Sequence, residues 1–388
     1  MRAVEEALGM PRTQQLSFEE ALVLASKVNG KYRPAWDAYP PEEQAALAAY
    51  FLPHNSAKPV LGPTRPRVVK WYCPFAAQCD FPSGHRYCIN VYTGCAHECA
   101  YCYATAYSPT QASAKPAFER LVAKDMDDLE RFDVPAAPVH ISNSTDPFQP
   151  LEEQHRHARF ALEQVLLHRR RFTTVTILTK NPLRPVKLGY VDLFRELGTL
   201  PRDHPRRDNL DRNHLPGLVV EVSLAFWRED ARRKYDRCAP SVGERTEGLR
   251  ALREAGIPLV LRIDPLFPHT PLTNGSARSF EDFGLMEPQT LDDIEHLVAL
   301  AKELNVQHVV YSAAKITQPR GRKLSGTMQA MREFYRACVA PEKLDFHGGS
   351  WRLPGNGAQA LIVRSFLETC KRHGVRAKYC KQNLTETP

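Results

Sequence analysis

Three cysteines lie within eight residues of one segment, Tyr92–Tyr107, which reads YTGCAHECAYCYATAY. They are Cys95, Cys99 and Cys102, in a C-x3-C-x2-C spacing that follows Gly94. Closed structural zinc sites use four ligands, commonly in two pairs, and three closely spaced thiolates do not complete one. Each iron of a four-iron cluster takes an outer ligand, so three thiolates leave the fourth iron open to a cofactor or substrate. The spacing therefore predicts an iron–sulfur cluster with one open position, and the glycine gives the backbone room to turn into its loop.

A zinc site is the alternative for this loop, because His97 lies between the first two cysteines and would act as the fourth ligand. The loop would be strained if it presented all four side chains to a single ion. We therefore prefer the cluster.

The composition bounds the class of protein. The chain has 388 residues, of which 43% are hydrophobic, enough for one large domain with an appendage or for two domains. No run of eighteen apolar residues is present, so we expect no membrane-spanning segment. The first ten residues carry two glutamates where a signal peptide would be apolar, and we expect a cytoplasmic protein. Ten cysteines in a cytoplasmic chain favour metal or redox chemistry over disulfides.

The net charge is +8 and is unevenly distributed, with basic runs at 168–172, 201–214 and 319–323. Clustered Lys and Arg side chains attract phosphate-bearing partners such as nucleic acids. The alternative is a basic surface that is merely solvated.

Three segments are predicted along the chain. Residues 16–52 read as two helices, the first beginning at the N-cap Ser17, and a proline-rich linker follows them. We therefore assign 1–67 to a helical N-terminal extension with its linker, 68–325 to the main domain, and 326–388 to a C-terminal helical segment packing on that domain.

Short apolar runs rich in β-branched residues alternate with helical patterns through the main domain. Six predicted strands lie at 86–92, 138–142, 173–180, 217–226, 257–267 and 307–314. The predicted helices between and after them lie at about 113–131, 151–169, 189–197, 242–255, 290–304 and 325–338. Continuous apolar strands separated by helices predict a parallel sheet buried on both faces. Six such units favour an α/β fold built as a partial (β/α)6 barrel, and a doubly wound sheet is the alternative.

Both architectures place ligands at the carboxyl ends of their strands. Polar residues follow or end each predicted strand after the first, and together they predict a site at that rim. They are Ser142–Asp146, Thr179–Lys180, Glu221 with Ser223, Arg262 with Asp264, and Ser312 with Lys315.

The cysteine motif resembles that of radical S-adenosylmethionine enzymes, in which it follows the first strand of a partial α/β barrel. The resemblance implies that the amino and carboxylate groups of S-adenosylmethionine chelate the open iron. It further implies reductive cleavage of that cofactor to a 5′-deoxyadenosyl radical, which takes a hydrogen atom from the substrate, with an electron donor such as flavodoxin or ferredoxin. By the same resemblance Tyr101, the aromatic residue before the third cysteine, packs near the adenine.

Further motifs are similar to the spore photoproduct lyase branch of that superfamily, over roughly residues 86–320. They are YTGC-x3-C-x-YCYA, a strand ending in Ser-Thr-Asp, then Thr-Lys, Val-Ser-Leu, RTEGLRALREAGIP from Arg245 to Pro258, and Pro265-x-x-Pro268. The resemblance implies a lyase-like radical enzyme whose cofactor is held by side chains at the strand ends. Carried over to this sequence, those residues are Ser144, Thr145, Lys180, Ser223 and Arg262, besides Tyr101.

One position departs from that branch. Spore photoproduct lyases carry a cysteine at the second strand end, and its thiol returns a hydrogen atom to the substrate radical. Asn143 lies there in this chain, and its N–H bond is too strong to donate a hydrogen atom in the same way. Repair of the spore photoproduct by that mechanism is therefore not implied. Cys238, after the fourth strand, is the alternative donor, although we expect it to be a small buried hydrophobic residue.

More cysteines lie outside the triplet. Cys73, Cys79 and Cys88 precede it, and Cys370 and Cys380 lie near the C-terminus. The first three, with Cys380 as a fourth ligand, predict a second metal site that holds either an auxiliary iron–sulfur cluster or zinc. The alternative is that these thiols are simply buried.

These observations favour a radical S-adenosylmethionine enzyme that acts on a nucleic acid or nucleotide. Two alternatives remain open. One is the same radical chemistry on a small molecule or a peptide, and the other is a non-catalytic iron–sulfur or zinc protein that binds nucleic acid.

Overall fold

The structure, a computed structural model, describes residues 68–70, 87–131, 136–204, 217–268, 279–339, 344–347, 349–353 and 358–380. The helices predicted within 16–52 and the two cysteines Cys73 and Cys79 lie outside these residues.

The strands of the described residues are short at the start of the chain and longer at its centre. In chain order they are β1 (Val69–Lys70), β2 (Tyr87–Ile89), β3 (Tyr92–Thr93), β4 (Ser113–Ala114), β5 (Ala137–Ile141), β6 (Phe172–Thr179), β7 (Leu218–Ser223), β8 (Leu259–Leu266), β9 (Val309–Ala313), β10 (Lys315–Thr317), β11 (Asp345–His347), β12 (Ser350–Arg352) and β13 (Ala377–Tyr379).

Eight of these strands form one open sheet in the order β1-β2-β5-β6-β7-β8-β9-β13. β1 is antiparallel to β2, and the other neighbouring pairs are parallel. The parallel strands follow one another in chain order, without the reversal that defines a doubly wound sheet. Within the described residues the sheet runs from edge to edge and does not close. The predicted α/β fold and partial barrel are therefore confirmed, and the doubly wound alternative is excluded.

Helices make the crossovers between the parallel strands. They are α1 (Phe118–Arg131), α2 (Glu152–His155), α3 (His157–Leu167), α4 (Leu183–Lys187), α5 (Val191–Gly198), α6 (Glu229–Tyr235), α7 (Val242–Glu254), α8 (Leu291–Glu303), α9 (Gly326–Phe334) and α10 (Ala358–His373). Two of them begin with a capping box, in which side chain and backbone satisfy each other's donors: Ser241 with Glu244 at α7, and Thr290 with Asp293 at α8. The predicted helix at 113–131 begins only at Phe118, because Ser113 and Ala114 pair with β3.

Alternate residues of the parallel strands point to opposite faces of the sheet. The residues that pack against the helices in the main core include Ile89, Ile141, Ile177, Val220 and Leu261. The intervening residues point to the other side, which we call the inner face.

The inner face is polar for a buried surface. Its strand residues include Cys88, His140, Thr176, Glu221 and Arg262, and the register places the first three side by side. In a partial barrel this face lines the interior, and ligands bind at the carboxyl ends of its strands. The polar residues are therefore positioned for chemistry rather than for packing.

The C-terminal segment contains α9, where a helix was predicted at 325–338, and also α10 and strands that the sequence did not predict. β13 pairs with β9 and adds a parallel strand to the edge of the main sheet. β11 and β12 join β10 in a small antiparallel sheet. The segment is therefore part of the α/β structure rather than a purely helical addition. Among the described residues, no helix is both long and apolar enough to cross a bilayer.

Candidate active site at the cysteine loop

The loop that carries the cysteine triplet begins where β3 ends. Gly94 has φ +69°, and a Cβ at this position would lie 2.1 Å from the carbonyl oxygen of Gln111. Neither the left-handed conformation nor the close approach tolerates a larger side chain. The glycine of the motif is therefore fixed by the turn, as the sequence predicted.

Main-chain contacts anchor the loop at several points. Ala96 N–H donates to the side-chain oxygen of Gln149 at 2.9 Å, and Ala100 N–H donates to the Tyr235 carbonyl at 2.8 Å. The carbonyl of His97 accepts from Cys238 N–H at 3.0 Å. These anchors come from the ends of different crossovers, and none of them uses a cysteine sulfur of the triplet.

The three thiols of the triplet are free and half-buried. Burial and the nearby Asp146 carboxylate raise the pKa of Cys95 to about 12. Burial also raises the pKa of Cys99 and of Cys102. A bound metal inverts this preference, because it deprotonates the thiols that ligate it.

The cysteines of the triplet do not surround the position of a single metal ion. Within the part of the chain that the structure describes, no three His, Cys, Asp or Glu side chains converge where one metal ion would be held. A four-iron cluster takes each thiolate on a different iron, so its ligands need not converge. His97, the fourth ligand of the zinc alternative, instead lies with Nε2 3.0 Å from Asp146 Oδ2.

Asp146 links the ends of β5 and β6 with the cysteine loop. Its carboxylate accepts from Lys180 N–H at 2.6 Å, from the Thr179 hydroxyl at 2.8 Å and from Phe148 N–H at 2.8 Å. Burial opposes ionisation, but His97 and these backbone donors lower the pKa of Asp146. The sequence pointed to this residue only as the last letter of Ser-Thr-Asp, and its role as a junction was not predicted.

A buried ionic group lies directly beside the loop. Asp236 accepts from Tyr101 Oη at 2.5 Å and from Arg245 Nη1 at 2.9 Å. Lys180 Nζ lies 3.3 Å from Asp236 Oδ1 and donates to Tyr101 Oη at 2.9 Å. We call Lys180, Asp236 and Arg245 the buried triad. Burial opposes the charge on Asp236, but Lys180 and Arg245 hold the pKa of its carboxyl well below the usual range.

Tyr101 packs in an aromatic setting above the triad. Its ring lies 5.9 Å from the rings of both Phe226 and Phe267, and Lys180 Nζ lies 5.3 Å from its centre. The structure thus brings together Tyr101, Lys180 and the cysteine loop, three features that the sequence assigned to one site.

The remaining predicted cofactor residues fall into two groups. The Ser144 hydroxyl lies 3.1 Å from that of Tyr107, and the Thr145 hydroxyl donates to the Gly94 carbonyl, so both adjoin the loop. Ser223 ends β7 and is buried. Arg262 is the register partner of Ser223 on the adjacent strand β8, and it belongs to a second cluster on the inner face.

That second cluster is built from β7, β8 and β9 and from the residue that follows β13. Arg262 donates to Glu221 and to Asp264, at 2.7 Å each, and to Cys380 Sγ at 3.3 Å. The Ser312 hydroxyl donates to Asp264. Burial opposes ionisation of Glu221, but the Arg262 guanidinium lowers the pKa of its carboxyl to about 2. The sequence identified the polar strand ends but not these pairings.

Asn143, the position of the departure noted above, contacts a thiol of the neighbouring strand. Its side-chain amide donates to Cys88 Sγ at 3.2 Å, and the Asn90 amide lies 3.5 Å from the same sulfur. Cys238, in contrast, is exposed, so the expectation that it is buried was wrong. It follows α6 in a turn and is exposed in the part of the chain that the structure describes.

The second metal site stays a prediction. Cys88 lies on β2, while Cys380 follows β13 at the opposite edge of the sheet. Cys73 and Cys79 are outside the described residues. Cys370 is buried in the main core, which agrees with the packed alternative for that thiol.

The open parallel sheet, with a cysteine loop at the carboxyl ends of its strands, is a fold that this chain shares with solved structures of spore photoproduct lyase. A cysteine-to-serine mutant of spore photoproduct lyase matches 85% of this chain and 88% of that chain, with TM-score 0.50 and 13% identity. A cysteine-to-alanine mutant of the same enzyme matches 81% of this chain and 78% of that chain, with TM-score 0.51 and 13% identity. The predicted resemblance to this branch is thus confirmed at the level of the fold.

Sequence comparisons add a match to part of the chain. No protein-family model matches the chain. An uncharacterized protein of Methanocaldococcus jannaschii is 23% identical over 185 residues, which are 48% of this chain and 62% of that protein. The match therefore spans less than two thirds of that relative.

Proposed function

We propose that the protein is a radical S-adenosylmethionine enzyme. When bound, a four-iron cluster and S-adenosylmethionine supply reductive cleavage of the cofactor and a 5′-deoxyadenosyl radical that takes a hydrogen atom from the substrate. The observation that carries the proposal is the loop of three free thiols at the carboxyl ends of parallel strands, in a fold shared with spore photoproduct lyase. A one-electron donor such as flavodoxin or ferredoxin would reduce the cluster.

In this proposal Cys95, Cys99 and Cys102 hold three irons, and Lys180 binds the cofactor carboxylate. An ammonium group has three N–H donors. Two N–H groups of the Lys180 ammonium donate to Tyr101 and Asp236, which leaves the third N–H group for the cofactor. A carboxylate at this point would also be attracted by the net positive charge of the buried triad.

The hydroxyl groups at the strand ends divide into two roles. Ser144 and Ser223 offer hydrogen bonds to the ribose or methionine part of the cofactor. Thr145 is already engaged, since it donates to Gly94 and accepts from Gln149 at 2.9 Å, so its role is to hold the loop. Arg262 would reach the cofactor from β8, beside Ser223, while remaining paired with Glu221 and Asp264.

A nucleic acid or nucleotide is the substrate class that the rim of the site favours. Arg320 N–H donates to the Thr105 carbonyl at 3.2 Å, so the basic run 319–323 lies against the cysteine loop. Tyr103 and Tyr107 of that loop are 37% and 51% exposed. Exposed aromatic rings beside cations suit the stacking of bases and the pairing of phosphates in single strands. Radical chemistry on a small molecule or peptide would not need this surface.

The decisive experiment is anaerobic reconstitution with iron and sulfide, followed by reduction with dithionite in the presence of S-adenosylmethionine. We expect a four-iron cluster and release of 5′-deoxyadenosine. Cys99→Ala should lose both, whereas Cys238→Ala, an exposed cysteine outside the triplet, should keep both. Full cleavage by Cys99→Ala would show that the ligand assignment is wrong. A parent protein that binds iron and nucleic acid but releases no 5′-deoxyadenosine would support the non-catalytic alternative.

A further inference from the structure

The buried triad has a net charge of one positive unit and lies beside the cysteine loop. Lys180 and Arg245 are cations, and Asp236 is the one carboxylate among the three. The side chains of Asp236 and Arg245 are both 0% exposed, and that of Lys180 is 15% exposed. Charges in such an environment are screened far less than charges at the surface.

The triad is close enough to the thiols for its charge to matter. Ala100, the residue after Cys99, bonds through its N–H to the carbonyl of Tyr235, the residue before Asp236. Tyr101 then donates directly to Asp236, so the loop runs along this carboxylate. The fields of Lys180 and Asp236 therefore reach the sulfur of Cys99.

Arg245 fixes this arrangement from behind. Its guanidinium donates to Asp236 at 2.9 Å, to the Ser223 carbonyl at 3.2 Å and to the Pro240 carbonyl at 3.0 Å. These contacts tie α7 to the end of β7 and to the turn after α6. Nη2 of Arg245 is buried without a hydrogen-bond partner among the described residues. A buried cation with an unused donor is costly unless a nearby anion compensates it.

We propose that Arg245 is a positioning residue of the proposed cluster and that, through Asp236 and Lys180, the net charge of the triad sets the cluster's reduction potential. The inference rests on the proposed function, because it requires a cluster on the three cysteines. Reduction adds one electron from an external one-electron donor to the cluster and breaks no bond. The added negative charge is stabilised by the triad's net positive charge, which makes reduction easier.

If the net charge sets the reduction potential, removal of the charge of Arg245 and removal of that of Asp236 should shift the potential in opposite directions. Arg245→Gln removes a positive charge and should lower the cluster's reduction potential. Asp236→Asn removes a negative charge and should raise it. The double variant restores the parent's net charge and should return the potential toward the parent value. A purely structural role gives no reason for the two single variants to shift in opposite directions.

The measurement is a potentiometric one on reconstituted protein at one fixed pH, with the reduced cluster followed by electron paramagnetic resonance and without S-adenosylmethionine. Arg169→Gln is the matched control. Arg169 is also buried, and its guanidinium donates to the Leu197 and Gly217 carbonyls. It lies before β6, at the end of the strand opposite Lys180, and eight strand residues span roughly 25 Å. This variant should lose stability and keep the parent potential.

Unchanged potentials, or shifts of both single variants in one direction, would overturn the proposal. If Arg245→Gln fails to assemble a cluster, the test rests on Asp236→Asn alone. A reduction potential of Asp236→Asn above that of the parent supports the proposal, and an unchanged or lower one contradicts it. A parent protein without a reducible cluster would instead refute the proposed function itself.

Discussion

The side-chain amide of Asn143 donates a hydrogen bond to the sulfur of Cys88 at 3.2 Å, from the end of one parallel strand to its neighbour. The sequence resemblance described above implies that Asn143 takes the position of the hydrogen-donating cysteine of spore photoproduct lyases. A thiol is therefore present next to that position, although the sequence places it 55 residues earlier in the chain.

If Cys88 is a free thiol and not a ligand of the predicted second metal site, this relationship predicts that it supplies a hydrogen atom when no substrate is bound. In D2O its thiol exchanges to S–D. Transfer of that deuterium atom to the 5′-deoxyadenosyl radical would break the S–D bond, form a C–D bond in the product 5′-deoxyadenosine and leave a thiyl radical on Cys88, which one electron from dithionite and one deuteron from the solvent return to the thiol. We expect this label in the parent and its loss in Cys88→Ala, measured by mass spectrometry of the product. Cys88→Ala combined with Asn143→Cys should recover the label, because the thiol returns to the neighbouring strand. Equal labelling in the parent and in Cys88→Ala would exclude this thiol.

Replacement of Lys180 should weaken cofactor binding without removing iron. Lys180→Ala deletes one charge-assisted hydrogen bond to the proposed carboxylate, a loss of about 1.5–3 kcal/mol, or roughly tenfold to a hundredfold in affinity. The measurement is equilibrium binding of S-adenosylmethionine to oxidised, reconstituted protein. Lys187→Ala, an exposed lysine on the next helix, is the control. Equal affinities of Lys180→Ala and the parent would refute this role.

The basic run beside the loop should contribute to binding of single-stranded nucleic acid. Arg320→Ala with Lys323→Ala removes two exposed charges and should reduce the slope of log affinity against log salt by about 1.4, or roughly 0.7 for each lost phosphate contact. Arg253→Ala with Lys371→Ala removes one exposed arginine and one exposed lysine outside the basic runs and serves as the charge-matched control. Fluorescence anisotropy with a labelled oligonucleotide checks both. Equal losses in the two double variants would indicate only a general charge effect.

His308 predicts a pH dependence of stability. Burial lowers the pKa of this histidine to about 4, although Glu221 raises it and Lys378, Arg376 and Arg262 lower it further. Because the unfolded state binds the proton more readily, folded stability rises with pH between about 4 and 6.5 and is lost as the pH falls through that window. The full effect is roughly 3 kcal/mol at most. Urea unfolding of metal-free protein should show a smaller pH slope in His308→Gln, and identical slopes would contradict the assignment.

The upstream cysteines are tested by metal content. A Cys73→Ala, Cys79→Ala double variant should lose metal while keeping the cluster of the triplet, if these residues form the predicted second site. Metal analysis of the parent that finds only the irons of one four-iron cluster and no zinc would show that these thiols do not bind metal.

The parallel strands were predictable because their near-continuous apolar runs are long relative to the turns around them. β7, for example, reads LVVEVS and is buried over all but one residue. β13 was missed because three residues, Ala377–Tyr379, show no periodicity, and only their pairing with β9 makes them a strand. Local sequence carries no signal for such tertiary pairing.

The site was predictable where chemistry requires a short motif and unpredictable where it depends on distant partners. The triplet and Gly94 are adjacent in sequence, so their types and spacing were sufficient. Asp236 lies 135 residues after its partner Tyr101. Arg245 lies nine residues after its partner Asp236. Arg245 was visible as the first letter of a motif, but nothing in the sequence identified its carboxylate partner.

The main-chain anchors of the cysteine loop affect how the protein responds to damage by oxygen. Gln149, Tyr235 and Cys238 hold the loop through contacts that involve no sulfur of the triplet. Exposed iron–sulfur clusters are destroyed by oxygen, and a loop shaped only by its irons would collapse with them. We expect this loop to outlast such damage in its working shape, so that restoring activity would depend on the supply of iron and sulfide and not on refolding the chain.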